Sequence, residues 1–529
     1  MPATPELLNI ADEFVTRPAR EHPQKTAIVG VERQATYAEI EKEMNRVAQA
    51  LREYGCQPRD RLLIVLPDSL EFIATFFGAA KIGALPVPVN SMARAHDYQH
   101  YLANSGARFA IVHDSSFEEF KSALHESAVE YMIIVGAKAR AAGTGQRTTI
   151  AWDDWRPQNV GDVATQPTGA DDPAFLLYTS GSGGSPRAAV HRHRGMVATS
   201  TAYARGVLGL RPDDITFSVS KLFFAYGLGA GMYFPLSAGA STVLFPERPR
   251  ADLIAQAVRR HRPTVFFSVP TFYAALLREA DSGGAMDFSS VRMAVSAGEA
   301  LPAEIFARFR DRFGIDILDG LGSTEMLHMY MSARPGKTRP GSCGQPVPGY
   351  RVKILDDQER EVPDGEIGSL WVCGPSGFIE YWNAPEISRT RMSGEWYLTG
   401  DKLTRDSEGY LHYCGRADDM MKVSGMWVSP VEVENALLGH PAVAECAVVG
   451  QFDAVGLTRP VAYIVLRRGV QQPGGAMDSE ISAWLRTRLV GYKCPEEFKF
   501  VAELPKTATG KIQRFRLRAR ADRNSAGNT

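Results

Sequence analysis

Short apolar runs alternate with amphipathic stretches through most of this chain. Residues 61–66 (RLLIVL) predict a buried strand, and residues 70–82 after it have the apolar spacing of a helix. Residues 109–112 and 131–135 predict further buried strands, and residues 37–54 predict another helix. Because continuous apolar strands are typical of parallel sheets covered by helices, the pattern predicts an α/β fold.

The pattern changes near residue 415, where a polar and charged segment, GRADDMMKVSG, begins. The segments after it are compact and predict a small α+β domain. We place the boundary at Asp418, which gives a large domain of residues 1–418 and a small domain of residues 419–529. The predicted helices of the small domain are residues 430–438 and 481–489, and its predicted strands are residues 443–450 and 461–466.

Composition excludes several classes of protein. The 529 residues include 59 Lys and Arg against 60 Asp and Glu, a net charge of −1, so no positive field favours nucleic acid or an anionic membrane as a partner. The longest apolar stretch, residues 264–277, is too short to span a bilayer. The six cysteines form no C-x-x-C pair, and the first residues do not resemble a signal peptide. We therefore expect a cytoplasmic enzyme.

A loop rich in Ser, Thr and Gly lies within FLLYTSGSGGSPRAAVH (175–191). Glycines let successive backbone N–H groups point toward one anion, and the neighbouring hydroxyls and Arg187 add donors and a positive charge. The hydroxyls are those of Thr179, Ser180, Ser182 and Ser185. The segment suits a polyphosphate, although it is not a Walker A loop, and a flexible surface linker is the alternative.

A second apolar strand enters a turn at ILDGLGSTEMLH (317–328). Thr324 and Glu325 offer a hydroxyl and a carboxylate, the oxygen ligands that Mg²⁺ shares with phosphates. A capped helix N-terminus is the alternative.

Two further segments suit a nucleotide. Asp401 ends WYLTGD (396–401), where its carboxylate suits the two hydroxyls of a ribose, although Asp after Gly is also common in turns. Lys511 lies in LPKTATGKIQR (504–514). Either this segment presents Lys511 to another domain, or it is a solvated basic tail.

Together these motifs resemble the acyl-adenylate-forming superfamily of acyl- and aryl-CoA synthetases, luciferases and peptide-synthetase adenylation domains. The resemblance covers about residues 10–520 and is most specific to the benzoate–CoA ligase-like branch. The segments that carry it are KLFFAYGLG (221–229), SAGEALP (296–302), DGLGSTEMLH (319–328), PVPGY (346–350), DDMMKVSG (418–425) and PKTATGKIQR (505–514). It implies a large N-terminal domain of two α/β subdomains plus a β-barrel-like subdomain, and a small mobile α+β C-terminal domain.

The resemblance also implies residue roles in binding ATP and Mg²⁺. Thr324 would contact the α phosphate, and Glu325 would hold the Mg²⁺. Asp401 and Arg416 would bind the ribose, and Lys511 would contact both the substrate carboxylate and the α phosphate. The loop residues that would hold the β and γ phosphates are Thr179, Ser180, Gly181, Ser182, Gly183, Gly184 and Arg187. The residues that would line the adenine slot are Gly298, Glu299, Ala300 and Asp319.

In this family the carboxylate of the acid attacks the α phosphorus, pyrophosphate leaves, and the acyl-adenylate then reacts with coenzyme A. Between the steps the small domain rotates about an Asp that corresponds to Asp418. The rotation withdraws Lys511 and brings a loop to the active site along the pantetheine tunnel. The loop residues are Val423, Ser424, Gly425, Met426 and Trp427.

The implied acyl pocket is apolar and aromatic, which favours a small flat ring over a long chain. Its residues would be Phe224, Ala225, Tyr226, Gly298, Gly322, Leu327 and His328. The sequence does not decide between two roles for His328, a contact with a substituent on the substrate ring and a hydrogen bond to backbone. The implied substrate is benzoate or a small ring-substituted benzoate.

One departure concerns the phosphate loop, which in the family usually ends in Pro-Lys-Gly and here ends in Pro186-Arg187-Ala188. Arginine keeps the charge but is planar and bulkier than lysine. The departure leaves a non-catalytic adenylate-binding protein as a lesser alternative to the CoA ligase. A stand-alone enzyme that loads an aryl acid onto a carrier-protein thiol is the other alternative, and the oligomeric state stays open, a homodimer included.

Overall fold

The residues described by the computed structural model are 6–30, 33–136, 147–179, 185–423, 426–453, 457–467, 469–470, 475–506 and 512–518. Eight predicted site residues lie outside these ranges. They are Ser180, Gly181, Ser182, Gly183, Gly184, Ser424, Gly425 and Lys511.

The first α/β unit contains a five-stranded, entirely parallel sheet covered by helices. Its strands, in spatial order, are Leu85–Pro88, Arg61–Val65, Phe109–His113, Tyr131–Val135 and Thr148–Ala151. Its helices are Arg17–Glu21, Tyr37–Glu53, Leu70–Lys81, Ala95–Ser105, Phe117–Ser122 and Trp152–Trp155, with a π-helical turn at Asp12–Thr16 and a 3-10 turn at Asp114–Ser116. The strands and helices that the apolar pattern predicts here all form, with each end within one residue of its predicted position.

Local sequence explains where the two long helices of this unit begin. Thr36 accepts a hydrogen bond from the backbone of Glu39, whose carboxylate accepts one from the backbone of Thr36 in return. Ser69 caps the helix Leu70–Lys81 by accepting from the backbone of Phe72.

The second α/β unit contains a nine-stranded sheet with six parallel strands in its centre and antiparallel strands at both edges. Its strands, in spatial order, are Gln345–Pro346, Met329–Ser332, Ile317–Gly322, Met293–Ser296, Val265–Ser268, Ile215–Ser218, Ser241–Leu244, Thr26–Gly30 and Gln34–Thr36. Its helices are His193–Thr199, Ala225–Leu228, Phe234–Ser237, Ala251–His261, Pro270–Asp281 and Ala303–Phe313, with π-helical turns at Ser200–Arg205 and Gly229–Tyr233. Ligands bind such sheets at the carboxyl ends of the strands, where several predicted site residues lie.

A third, antiparallel unit follows, in agreement with the β-barrel-like subdomain that the resemblance implies. Its strands are Arg351–Leu355, Gly368–Cys373, Met392–Ser393, Trp396–Arg405 and Leu411–Arg416, and its helix is Pro385–Arg391. A separate hairpin, Pro173–Tyr178 with Ala188–Arg192, flanks the predicted phosphate loop. The hairpin joins this unit between its strand Gly368–Cys373 and its helix, because the backbone of Val190 hydrogen-bonds to Glu380 and Ile379.

The C-terminal unit is α+β, as the sequence predicts. Its strands are Val443–Phe452, Thr458–Leu466 and Glu497–Phe500, and a small hairpin pairs Met421–Val423 with Met426–Val428. Its helices are Pro430–Leu438 and Gly475–Arg486, with a 3-10 turn at Gly491–Lys493. Its main hydrophobic core contains only residues from Met421 onward, which agrees with a separate domain, and the boundary at Asp418 stays a prediction. In the part of the chain that the structure describes, we find no helix with the length and apolar character needed to cross a bilayer.

Candidate active site

A cavity of about 540 Å³ lies between the second sheet, the antiparallel unit and the C-terminal unit. Its volume falls within the range of about 300–1,000 Å³ that is usual for ligand sites. The sequence-predicted residues that line it are Thr179, Arg187, Gly298, Glu299, Ala300, Asp319, Gly322, Thr324, Glu325, Asp401, Arg416 and Asp418. These residues come from five separate segments of the sequence, which therefore meet at one site.

The hairpin closes the base of the predicted phosphate loop. The backbone N–H of Thr179 donates to the Arg187 carbonyl at 2.8 Å, and the Arg187 N–H donates to Thr179 Oγ1 at 3.3 Å. Ala188 pairs with Tyr178 in a regular strand and is fully buried. Because this position needs no glycine conformation, Ala188 in place of Gly leaves the loop base intact.

Thr324 and Glu325 lie in a turn between two antiparallel strands, so the helix N-terminus considered as an alternative is wrong. The Glu325 side chain is 8% exposed, and its Oε1 accepts a hydrogen bond of 2.6 Å from the Tyr381 hydroxyl. The turn is tight at Gly322, where a Cβ would lie 2.6 Å from the His328 carbonyl oxygen. The turn therefore presents a buried carboxylate and an adjacent hydroxyl to the cavity.

Asp401 and Arg416 are cross-strand neighbours in the antiparallel unit. Asp401 Oδ1 accepts from Arg416 Nη1 at 2.9 Å, and the same guanidinium nitrogen donates to the Thr399 carbonyl. Burial raises the pKa of Asp401, and the Arg416 guanidinium opposes this rise. Gly400 has φ of +80°, and a Cβ there would lie 2.8 Å from Arg416 Nη2, so the pair needs glycine at this position.

Asp319 lines the predicted adenine slot. Its Oδ2 accepts from the backbone of Leu301 at 3.3 Å, while its buried Oδ1 has no partner within the described ranges. Burial raises the pKa of Asp319 to about 8. On the same wall, Glu299 Oε1 accepts from the backbone N–H of Ile512 at 3.1 Å. The residue that follows Lys511 in the sequence therefore lies at the cavity.

Two of the predicted acyl residues, Tyr226 and His328, belong to an aromatic cluster in which their ring centres lie 5.5 Å apart, and the His328 backbone lies against Gly322 at the cavity. The Tyr226 hydroxyl lies 3.2 Å and 3.1 Å from the carbonyl oxygens of Ser268 and Val295, and His328 Nε2 lies 3.3 Å from the Tyr226 carbonyl oxygen. Burial lowers the pKa of His328 to about 3, so its ring is neutral. Its Nδ1 is buried and finds no partner among the residues that the structure describes.

The other predicted acyl residues differ in their burial. Phe224 and Ala225 are half-buried at the start of a short helix, whereas Leu327 is fully buried in the core. Only Gly298 and Gly322 of the predicted acyl set line the cavity itself. Their role in binding a ring stays a prediction.

The described residues of the predicted thioester loop, Val423, Met426 and Trp427, do not line the cavity. Val423 is buried within the C-terminal unit, whereas Met426 and Trp427 are 54% and 40% exposed. The Trp427 ring lies 5.9 Å from Lys402 Nζ and 5.7 Å from Lys422 Nζ.

Sequence reasoning missed several residues at this site. Tyr381, Tyr397 and Arg391 line the cavity, and the Tyr381 and Tyr397 hydroxyl oxygens lie 3.3 Å apart. The segment that contains Tyr381, FIEYWN, has the apolar character of core residues. Its polar partner Glu325 is 56 positions away, so only the tertiary structure shows the contact.

Comparisons with known proteins agree with this geometry. The model of the AMP-binding enzyme family matches residues 15–382, and that of the AMP-binding enzyme C-terminal domain matches residues 432–511. The benzoate–CoA ligase of Thauera aromatica is 42% identical over 519 residues, which cover 97% of this chain and 96% of that protein.

Two solved structures cover nearly all of the chain. The anthranilate CoA ligase AuaEII in complex with anthranoyl-AMP has a TM-score of 0.93 and 38% identity, covering 99% of each chain. A benzoate CoA ligase from Burkholderia xenovorans LB400 has a TM-score of 0.88 and 40% identity, covering 97% of this chain and 100% of that one. The predicted fold class and branch are confirmed. The chain therefore belongs to the AMP-binding enzyme family, and within it is an AMP-forming acid–CoA ligase of the benzoate–CoA ligase-like branch.

Proposed function

We propose that the protein activates benzoate or a small ring-substituted benzoate with ATP as the acyl-adenylate and then transfers the acyl group to coenzyme A. The observation that carries this proposal is the convergence of Arg187, Glu325 and the Asp401–Arg416 pair on one cavity. An aromatic cluster adjoins that cavity at Gly322. Two of the relatives that match nearly all of the chain are named as a benzoate–CoA ligase and an anthranilate CoA ligase.

The cavity suggests how the nucleotide is oriented. Adenine would lie against Gly298, Ala300 and Asp319. The Asp319 Oδ1, which has no hydrogen-bond partner among the described residues, suits an amino group of the base. The ribose hydroxyls would bind Asp401, which Arg416 holds in place at 2.9 Å. The phosphates would then point toward Arg187, Thr324 and the phosphate loop.

The residues present fit a magnesium ion that is shared with the nucleotide. Glu325 offers a carboxylate and Thr324 offers a hydroxyl, and within the described ranges no group of three or more ligating His, Cys, Asp or Glu side chains occurs. Mg²⁺ is commonly held by one or two carboxylates together with substrate phosphates, so this small donor set is sufficient. When bound, the ion would neutralise phosphate charge that builds up during pyrophosphate departure.

In the first step, a carboxylate oxygen of the acid attacks the α phosphorus of ATP. An oxygen–phosphorus bond forms, the bond to the β phosphate breaks, and pyrophosphate leaves with the electron pair. Two anions must approach each other, so placed positive charges lower the barrier. We assign this role to Arg187 at the phosphates and to Lys511 between the carboxylate and the α phosphate.

In the second step, the thiolate of coenzyme A attacks the carbonyl carbon of the acyl-adenylate, and AMP leaves. We propose that rotation about Asp418 withdraws Lys511 and brings the loop Val423–Trp427 to the cavity. Asp418 is exposed at the cavity edge, where a hinge is free to turn. The exposed Met426 and Trp427 side chains are then available to line the path of the pantetheine arm.

The experiment that tests this function measures CoA-dependent release of AMP across benzoate, aminobenzoates, hydroxybenzoates, halobenzoates and cyclohexane carboxylate. We expect benzoate or a small substituted benzoate to give the highest kcat/KM, and cyclohexane carboxylate to give a low value because it is not flat. A phosphopantetheinyl carrier protein serves as the competing acceptor. Acyl transfer to the carrier with none to free CoA would contradict the CoA ligase assignment.

A further inference from the structure

The Tyr381 side chain contacts both Arg187, which is predicted to bind phosphate, and Glu325, which is predicted to hold the metal ion. Arg187 places its guanidinium carbon 5.8 Å from the centre of the Tyr381 ring, and the Tyr381 hydroxyl donates to Glu325 Oε1 at 2.6 Å. We propose that Tyr381 is a positioning residue that couples the phosphate-binding Arg187 to the metal-holding Glu325. This inference rests on the proposed function of those two residues.

Backbone pairing fixes Tyr381 next to the phosphate loop. Tyr381 forms an antiparallel bridge with Ala189, and the backbone N–H of Trp382 donates to the Ala188 carbonyl at 2.8 Å. The N–H of Tyr381 donates to Ser388 Oγ at 2.9 Å. Arg187 immediately precedes this pairing, so its side chain reaches the face of the Tyr381 ring.

The same segment also holds Glu325. The backbone N–H of Phe378 donates to the Glu325 carbonyl at 2.8 Å, three residues before the Tyr381 hydroxyl bonds its carboxylate. The Phe378 ring packs 4.9 Å from the Tyr381 ring, which limits the movement of the phenol. Glu325 is therefore fixed through both its main chain and its side chain.

The Arg187 contact gives a reason for arginine where the family usually has lysine. A guanidinium is planar and weakly hydrated, so it stacks on an aromatic face while its edges stay free for phosphate oxygens. A lysine ammonium would keep the charge but would lose this stacking. We therefore expect that a positive charge at position 187 is not sufficient for the coupling to Glu325, and that the guanidinium group is needed.

The test compares Tyr381→Phe with the intact protein. Isothermal titration calorimetry measures ATP binding with Mg²⁺ removed by chelation, and then Mg²⁺ binding at saturating ATP. Removing an outer partner of a metal-holding group typically costs about 10–100-fold in metal affinity. We expect Tyr381→Phe to weaken Mg²⁺ affinity by about tenfold and to change metal-free ATP affinity by less than about twofold.

Tyr37→Phe is the matched control, because its hydroxyl donates a buried hydrogen bond of 2.6 Å to the Ala240 carbonyl, far from the cavity residues. We expect this variant to leave both affinities unchanged. Wild-type Mg²⁺ affinity in Tyr381→Phe would overturn the inference. An equal loss of metal-free ATP affinity would overturn it as well, since that result indicates a merely structural role.

Arg187→Lys is the second variant and keeps the inference testable if Tyr381→Phe fails to fold. We expect it to weaken Mg²⁺ affinity at saturating ATP although the positive charge remains, and unchanged Mg²⁺ affinity would overturn the coupling. The proposed function fails separately: the intact protein would then show no acid-dependent exchange of pyrophosphate into ATP, whatever the Mg²⁺ affinities of the variants.

Discussion

At the scale of single residues, Asp319 is the clearest case in which the protein environment changes a side chain's chemistry. Its carboxyl group is buried at the cavity wall, and burial raises its pKa to about 8. The group is therefore largely protonated near neutral pH. A protonated carboxyl can donate as well as accept a hydrogen bond, which suits the mixed donors and acceptors of a purine edge.

We predict that Asp319→Asn changes how stability depends on pH. Between the ordinary pKa of 3.8 and the folded value of about 8, the folded protein binds one proton more than the unfolded chain. The stability contributed by this proton is present at low pH and is lost as pH rises toward 8, by at most about 1.4 kcal/mol per pH unit. The measurement is urea unfolding from about pH 5 to about pH 8.

Asparagine cannot titrate, so the free energy of unfolding of the wild type should fall relative to that of Asp319→Asn across this range. Parallel pH curves for the two proteins would contradict the raised pKa.

The sequence alone could predict residues whose chemistry is local. Thr324, Glu325, Asp401 and Arg187 stand in distinctive short motifs, and all of them line the cavity. Tyr381 could not be predicted in this way. Its hydroxyl donates a hydrogen bond to the carboxylate of Glu325, which is distant in sequence, and the residues next to Tyr381 in sequence are mostly apolar or aromatic.

At the scale of secondary-structure elements, the carboxyl ends of strands in the two α/β units are joined by a buried ion pair. Asp68 follows the strand Arg61–Val65, and Lys221 follows the strand Ile215–Ser218. Their Oδ2 and Nζ atoms lie 3.6 Å apart, and Asp68 Oδ1 accepts from the backbone of Leu222 at 2.9 Å. The pair therefore anchors the start of the predicted acyl segment.

We predict that Asp68→Ala destabilises the protein strongly. Removing one partner of a buried pair leaves Lys221 without its counter-ion and costs about 3–5 kcal/mol. We also expect the KM for the aryl acid to rise, because the segment after Lys221 loses its anchor. Chemical unfolding and steady-state kinetics measure the two effects.

Lys493→Met is the control for this prediction. Lys493 pairs with Glu432 at 2.7 Å near the surface, where an ion pair contributes about 0–1 kcal/mol. An effect of Asp68→Ala no larger than that of Lys493→Met would contradict the anchoring role.

Element boundaries could be predicted where apolar spacing and caps agree. The helix Leu70–Lys81 forms within one residue of its predicted bounds, and Ser69 caps it. The helix Gly475–Arg486 begins six positions before its predicted start at residue 481, because its first turns (GAMDSE) lack apolar periodicity. The π-helical turns have no sequence signature of this kind and depend on tertiary packing.

At the scale of the whole molecule, the polar links between the C-terminal unit and the large unit include two between described residues on either side of the cavity. Ile512 N donates to Glu299 Oε1 at 3.1 Å, and Arg278 forms an ion pair of 3.0 Å with Glu445. Arg278 is 46% exposed, and exposed pairs of this kind are weak. Such links suit the proposed rotation of the C-terminal unit between the two half-reactions.

We predict that Lys511→Ala separates the two half-reactions. Adenylate formation should fall by about 10²–10³, the loss that is typical when a group stabilising a developing negative charge is removed. Thioester formation from supplied benzoyl-adenylate and CoA should be largely retained, because the proposed rotation withdraws Lys511 in that step. Rapid-quench assays of each half-reaction measure this, and equal damage to both would contradict the proposed rotation about Asp418.

Near-zero net charge also fits this picture of the whole molecule. The protein has 59 Lys and Arg against 60 Asp and Glu, so a long-range positive field does not attract the nucleotide. Positive charge is instead placed at the cavity itself. Among the described residues, it comes from groups that include Arg187 and Arg416, where we propose that the nucleotide binds.

Benzoate-dependent exchange of pyrophosphate into ATP tests the central claim most directly, because it reports formation of the acyl-adenylate without CoA. We predict that the purified protein catalyses this exchange with benzoate or a small substituted benzoate, and that adding CoA converts the same acid to its thioester with release of AMP. No exchange with any acid of the benzoate panel would contradict the assignment as an adenylate-forming ligase.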